Sequence, residues 1–233
     1  MRRVLVTRPE PGASTTAARL EAIGFTPVLL PLTKIVAMQP AAPGPCDAMI
    51  ATSANALRNA PAEFLAPLLG RRLFAVGETT ANAARRRGFA DVEVAAGTAV
   101  DLAALIGRKA APGARLLHVA GRERTQGFEA DLTQRGFAIE IVETYRADEI
   151  AYEDGFISER LAGAALWGAL ALSERAGLLL ARLAQRPQAA KAFEETQFFC
   201  ISAKVAATLR DRDVAVAAEP SEEAVLALLS SQG

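Results

Sequence analysis

The groups best suited to chemistry in this sequence are hydroxyls, glycines and one phenol, set just after short apolar runs. Thr52-Ser53-Ala54-Asn55 follows Ala48–Ala51, and Gly77-Glu78-Thr79-Thr80 follows Leu73–Val76. Gly121-Arg122, Ser173 and the segment Ser202-Ala203-Lys204-Val205 repeat the arrangement. A polar pair between a buried strand and a helix start has two readings. It can be an ordinary N-cap, in which a Ser, Thr or Asn oxygen accepts from a free backbone N–H. It can also be an anion site, because ligands bind outside the carboxyl ends of parallel strands and free N–H groups favour negative charge there. Recurrence at matched places favours binding, and the candidates are Thr52, Ser53, Asn55, Gly77, Thr80, Gly121, Ser173, Ser202 and Lys204.

Three further side chains stand out. Tyr145 follows the apolar run Ile139–Val142, and a phenol there could give a proton to a leaving group; it could equally bridge core and solvent. Arg8 ends the first apolar run and could pair with a carboxylate or lie exposed in a loop. His118 is the only histidine. Flanked by Leu117 and Val119, it reads as a strand residue with one satisfied hydrogen bond, which argues against a Ser-His-Asp triad or a histidine metal cluster. Arg85-Arg86-Arg87 closes a helix and reads as solvated charge favoured by the dipole.

The elements that must position these groups follow a strand, turn, helix, glycine rhythm. Val4–Val6 is β-rich, Thr7 to Gly12 is a loop rich in Pro and Gly, Ala13–Ile23 has helical spacing, and Gly24 stops it. A strand follows at Pro27–Leu30. Further strands are expected at Ala48–Ala51, Leu73–Val76, Val92–Val94 and Val214–Ala217. Helices are expected from Ala56, over Thr79–Arg87, from a cap at Asp101 to Ile106, and over Ser221–Leu229. Alternation on this scale predicts parallel α/β architecture.

An internal repeat sharpens that reading. Leu20-Glu21-Ala22-Ile23-Gly24-Phe25 matches Leu132-Thr133-Gln134-Arg135-Gly136-Phe137 at a spacing of 112 residues, with strands before and after each copy. Downstream, Thr52-Ser53 is echoed by Leu172-Ser173 and Gly77–Ala81 by Ser202–Ala206. Two similar halves predict two lobes with a ligand cleft between them.

Composition narrows the function classes. The 26 basic and 26 acidic residues cancel, so no global field draws nucleic acid or an anionic membrane. Cys46 and Cys200 lie far apart and form neither a disulfide framework nor a zinc pattern. The apolar start ends at Thr7, too early for a signal peptide core, and Leu161–Leu172 is shorter than the roughly 18 residues of a membrane span. Phosphate loops, dinucleotide turns and calcium loops are lacking. A cytoplasmic protein without metal or cofactor is expected, and a monomer, since nothing forces a dimer.

Taken in order, several segments resemble the uroporphyrinogen-III synthase family. They are Val4-Leu5-Val6-Thr7-Arg8-Pro9 with Gly24 and Pro31-Leu32, then Thr52–Ala56, Ala75–Ala81, and Tyr145-Arg146. The resemblance implies two flavodoxin-like, three-layer lobes joined by a two-stranded linker, with the substrate cleft between them. One lobe would comprise residues 1–34 and 149–233 and the other 40–142, with linkers at 35–39 and 143–148. It implies cyclisation of hydroxymethylbilane, a linear tetrapyrrole with eight carboxylates, through loss of water and inversion of the last pyrrole. It further implies Tyr145 as proton donor, no cofactor, and hand-over of substrate from hydroxymethylbilane synthase. The chain departs from the family at Ser202, Lys204 and Val205, where a glycine and threonines are usual, and at Thr125, which takes the place of an arginine. Glu174 puts an acid near an anionic substrate. A different class remains open: a two-lobe binding protein for an anionic small molecule, without catalysis. A metal-dependent phosphate-ester enzyme has no acidic cluster to support it.

Overall fold

A computed structural model describes residues 2–124, 127–162 and 165–232. The strands are β1 (Arg3–Val6), β2 (Thr26–Leu29), β3 (Thr33–Ala37), β4 (Ala48–Ala51), β5 (Arg72–Ala75), β6 (Val92–Val94), β7 (Arg115–Gly121), β8 (Ala138–Glu149), β9 (Gly168–Ala171), β10 (Gln197–Cys200) and β11 (Val214–Val216). They form a five-stranded sheet ordered β11-β10-β9-β1-β2 and a six-stranded sheet ordered β3-β8-β7-β4-β5-β6. The pairs within β1-β2, β1-β9, β9-β10 and β10-β11, and within β4-β5, β4-β7, β5-β6 and β7-β8, are parallel. Mixed α/β architecture with parallel sheets is therefore the fold class, as the strand and helix rhythm predicts.

By its internal contacts the chain divides into two compact units. The first holds the chain up to Lys34 and again from Asp148; the second holds Ile35–Ala147. The crossings fall in β3 and β8, neighbours in the second sheet. The sheet orders explain the repeat. Each copy supplies an opening strand-helix-strand and three later strands, and the two copies exchange their openings. β1 and β2 join β9–β11 of the second copy, while β7 and β8 join β4–β6 of the first. Val4 lies opposite Gly168 as Leu116 lies opposite Ala48, so the two sheets match residue by residue.

Burial makes these short strands viable. β4 and β9 are buried along their whole length, as strands covered on both faces must be. In the first unit Leu5, Ala169, Leu180, Phe193 and Phe198 share one core cluster, and Val4, Leu20, Phe199 and Val225 share the cluster on the other face. In the second, Met49, Leu57, Leu73 and Leu117 fill one face, and Ile50, Phe74, Leu102 and Leu116 the other. Each such side chain contributes roughly 1.5–3 kcal/mol. Gly24, Gly88 and Gly136 take positive φ at helix ends, the left-handed turn that glycine permits. Cys46 and Cys200 are free and buried. Among the described residues no helix is long and apolar enough to cross a membrane.

Two boundaries differ from the sequence reading. Thr98 rather than Asp101 caps the helix Ala99–Lys109, its hydroxyl accepting from Asp101 N–H at 3.1 Å. The strand begun at Ile139–Val142 runs on to Glu149, so Tyr145 lies inside β8 and not after it. β8 sits between β3 and β7, and those two ladders hold extended a segment whose polar residues suggested a connection.

Candidate functional site

In the second unit the carboxyl ends of β4, β5 and β7 and the middle of β8 surround a cavity of about 580 Å³. Thr52, Ser53, Val76, His118, Gly121, Glu123, Arg124, Phe128, Arg135 and Tyr145 are among its lining residues. The sequence determines the geometry step by step. β4 ends at Ala51, and Ser53 takes an extended conformation and caps the helix Ala54–Asn59, its Oγ accepting from Asn55 N–H at 3.2 Å. β7 ends at Gly121 with a register shift: Ala120 faces Glu143, but Gly121 faces Tyr145. Such a bulge re-aims the next side chain. Thr144, passed over, is fully buried and donates to Ala56 C=O at 2.7 Å.

Gly121 matters because of that placement. A Cβ there would lie 2.5 Å from Tyr145 Cζ and 2.8 Å from its oxygen. The bare backbone makes room for the ring, so the role seen for Gly121 is to seat Tyr145. The Tyr145 hydroxyl donates to Ser53 Oγ at 3.2 Å. Burial pushes the phenol above its ordinary range, opposed by the Ser53 hydrogen bond and aided by Glu123. At neutral pH the group therefore holds its proton, the state a proton donor needs.

His118 is placed differently from the sequence reading, which gave it one hydrogen bond. It is 2% exposed, and both ring nitrogens are engaged: Nε2 with Thr52 Oγ1 at 3.0 Å and Nδ1 with Glu129 Oε1 at 3.1 Å. Phe128 meets the imidazole edge-on, with centroids 5.5 Å apart. The His118 hydrogen bond holds the Glu129 carboxyl down to about 2, against the opposing cost of burial. Arg124 Nε reaches the same Glu129 oxygen at 3.1 Å, and its Nη1 reaches Glu143 at 3.0 Å and Gly121 C=O at 3.2 Å. Glu143, also paired with Arg122 Nε at 3.1 Å, is lowered chiefly by that arginine. Arg135 is bound to Asp131 at 3.0 Å. Sequence reasoning missed the His118–Glu129 pair. The available signal was the repeat, which aligns His118 with Val6 at a buried strand position.

The remaining candidates are dispersed. Asn55 accepts from Arg58 at 3.3 Å on the helix that Ser53 caps. Gly77 is the extended N-cap of the helix Glu78–Arg86, and Thr80, buried in its first turn, donates its N–H to Gly77 C=O at 3.1 Å. Arg8, Ser173, Ser202 and Lys204 belong to the first unit, after the carboxyl ends of β1, β9 and β10. Arg8 Nη1 pairs with Glu222 at 2.5 Å and donates to Thr16 at 3.1 Å. Ser173 and Ser202 cap the helices Glu174–Ala184 and Ala203–Ala206. Lys204 Nζ lies 2.6 Å from Glu174, so the two residues that depart toward charge neutralise each other. Thr125 lies outside the described residues. Among the described residues no three His, Cys, Asp or Glu side chains gather as metal ligands would.

Comparison with known proteins bears on what this edge does. The family model described as "Uroporphyrinogen-III synthase HemD" matches residues 14–230. Among solved structures, the uroporphyrinogen-III synthetase of Helicobacter pylori has a TM-score of 0.66 at 18% identity, covering all of both chains. A mutant uroporphyrinogen III synthase of Thermus thermophilus has a TM-score of 0.56 at 17% identity, covering all of this chain and 97% of that one. At such identities the structural likeness concerns the fold. No curated protein matches the chain.

Proposed function

The chain belongs to the uroporphyrinogen-III synthase family, and we propose that it closes hydroxymethylbilane to uroporphyrinogen III with Tyr145 as the proton donor. The observation that carries the residue assignment is a half-buried phenol, protonated at neutral pH, on the wall of a 580 Å³ cavity beside Ser53. The pyrrole electrons of the substrate expel its terminal hydroxyl, and a proton from Tyr145 lets it leave as water. The last pyrrole ring then inverts through a spiro intermediate and the macrocycle closes. The protein's main contribution is to hold the chain ends in the geometry for inversion, because the bilane closes unaided to the type I isomer.

Thr52, Ser53 and Gly121 line that cavity and are proposed to supply hydroxyls and a backbone group to the substrate, while Asn55, Gly77 and Thr80, on the helices that follow β4 and β5, are proposed as further contacts. Arg8, Ser173, Ser202 and Lys204, on the first unit, are proposed as further carboxylate contacts. The protein is proposed to work as a cytoplasmic monomer without metal or organic cofactor, taking the bilane from hydroxymethylbilane synthase. Light scattering checks the oligomeric state.

The deciding experiment generates hydroxymethylbilane in situ, adds the protein, oxidises the products and separates the porphyrin isomers by chromatography. Type III as the main product is expected. Type I alone, from protein with native circular dichroism, overturns the reading.

A further inference from the structure

The Thr52, His118 and Glu129 side chains form a continuous hydrogen-bonded line, with Thr52 and His118 both lining the cavity. The fold itself does not ask for them. Under the repeat, His118, Glu129 and Thr52 correspond to Val6, Ala17 and Leu172 of the first unit. Val6 is fully buried, Ala17 is 8% exposed, and Val6 and Leu172 share an apolar cluster. One copy of the scaffold is therefore stable with apolar groups where the other keeps a buried histidine and a largely buried carboxylate. Burying such groups costs free energy unless they are fully paired, and here both ring nitrogens are.

The direction of the line follows from its Glu129 end. An ionised carboxylate only accepts hydrogen bonds, so the proton lies on His118 Nδ1 and points to Glu129. With the ring neutral, Nε2 is then an acceptor, and the hydroxyl 3.0 Å away is the donor. Arg124 shares the Glu129 oxygen and compensates its charge, while Phe128 covers the ring. Ile50 and Ile141 flank His118 on the neighbouring strands, so no other charged group approaches along the sheet.

We propose that His118, anchored by Glu129, is a positioning residue that holds the Thr52 hydroxyl proton at Nε2, leaving the Thr52 oxygen to accept a pyrrole N–H of the substrate. Thr52 thereby reads the tetrapyrrole's ring nitrogens and not its carboxylates. A carboxylate brought to that oxygen would meet lone pairs, so the arrangement discriminates between two ways of seating the same ligand. The inference rests on the reading of this cavity as the bilane site.

His118 is the only histidine, so ¹⁵N imidazole NMR of the labelled wild-type protein at pH 7 reports its state without assignment. The expected result is Nδ1 protonated and Nε2 bare. A protonated Nε2, in the other tautomer or as imidazolium, overturns the proposal because Thr52 would then be free to donate outward. Kinetics test the functional half. Thr52→Val and Glu129→Leu should each raise KM for hydroxymethylbilane about five-fold, the scale of one neutral hydrogen bond, with kcat changed less than about two-fold. Thr52→Ser should restore the wild-type KM. The double variant should be no worse than Thr52→Val alone, because Glu129 acts through Thr52. An unchanged KM in Thr52→Val, from an enzyme that still makes the type III isomer, sinks the proposal while sparing the proposed activity. Wild-type protein that yields only type I removes the activity instead. If Glu129→Leu does not fold, the Val and Ser variants of Thr52 and the NMR spectrum still decide.

Discussion

The two units share one strand arrangement and differ at the edge where parallel sheets bind ligands. In the first, the polar groups at that edge are spent within the unit. Ser173, Ser202 and Ser221 cap helices, Arg8 is held by Glu222, and Lys204 by Glu174. In the second, the same edge opens into a cavity faced by a phenol, an imidazole and two hydroxyls. Thr33, buried in the first sequence copy, stands at the repeat position that Tyr145 takes in the second. Duplication thus fixes where a cavity can form, and a few substitutions decide which copy lines it with polar groups.

The largest expected effect breaks that difference at Gly121. Gly121→Ala forces a methyl to within 2.5 Å of the Tyr145 ring, and overpacking of this kind costs roughly 1–3 kcal/mol or more. Thermal melting should show the loss, and isomer analysis should show the activity falling with it. Its repeat counterpart, Pro9, faces no tyrosine. A stable, active Gly121→Ala protein would mean that the ring has freedom to shift, and that the glycine is not what seats it.

Acid should separate the units next. Asp47, Glu129 and Glu143, all in the second unit, have lowered carboxyl pKa values. Glu129 is held at about 2, against about 4.3 in an unfolded chain. A depressed carboxyl contributes stability that is present above its unfolded pKa and lost as pH falls through the folded one. For Glu129, 15% exposed, this is on the order of 2 kcal/mol, lost between about pH 4.5 and 2. Amide exchange measured from pH 6 downward should therefore show β7 and β8 losing protection before β1 and β9. Simultaneous loss would argue that the two units unfold as one.

Much of the scaffold was legible because it is periodic. The Leu20–Phe25 and Leu132–Phe137 match, the glycine stops and the strand runs are local patterns that survive in one dimension. The exchange of openings between copies was reached only through family resemblance, since no local pattern states which sheet a strand will join. At the site, Thr52, Ser53, Gly121 and Tyr145 were legible as residues but not as a group. What unites them is the register shift at Ala120 and Gly121, which leaves no compositional mark. The His118–Glu129 pair was missed for a related reason. Its members sit on a strand and a helix, 11 residues apart, and neither forms a motif with its neighbours. Comparing the copies at fixed spacing, histidine against Val6 and glutamate against Ala17, would have exposed it.

Tyr145→Phe sharpens the comparison without disturbing packing. It removes one hydroxyl and its bond to Ser53 and keeps the ring against Gly121. Turnover should fall about ten-fold, below the usual contribution of a general acid because the substrate's own electrons expel the hydroxyl. KM and melting temperature should stay within error. A fall in kcat/KM carried by KM alone would make Tyr145 a binding group.

Lys204 should give the smallest effect and the finest distinction. Its ammonium lies 2.6 Å from Glu174, yet the side chains are 67% and 44% exposed, so the pair adds little stability. Lys204→Ala should leave melting unchanged and raise KM about two-fold, the scale of one screened surface charge. Two causes would produce that rise. Either Lys204 meets a substrate carboxylate, or its removal leaves Glu174 to repel one. Glu174→Gln in the Lys204→Ala background separates them. Recovery of the wild-type KM would show that Lys204 works by silencing Glu174, and that the first unit's edge has been neutralised and not recruited. A KM that stays raised would place Lys204 on the substrate and make the first unit a partner in binding.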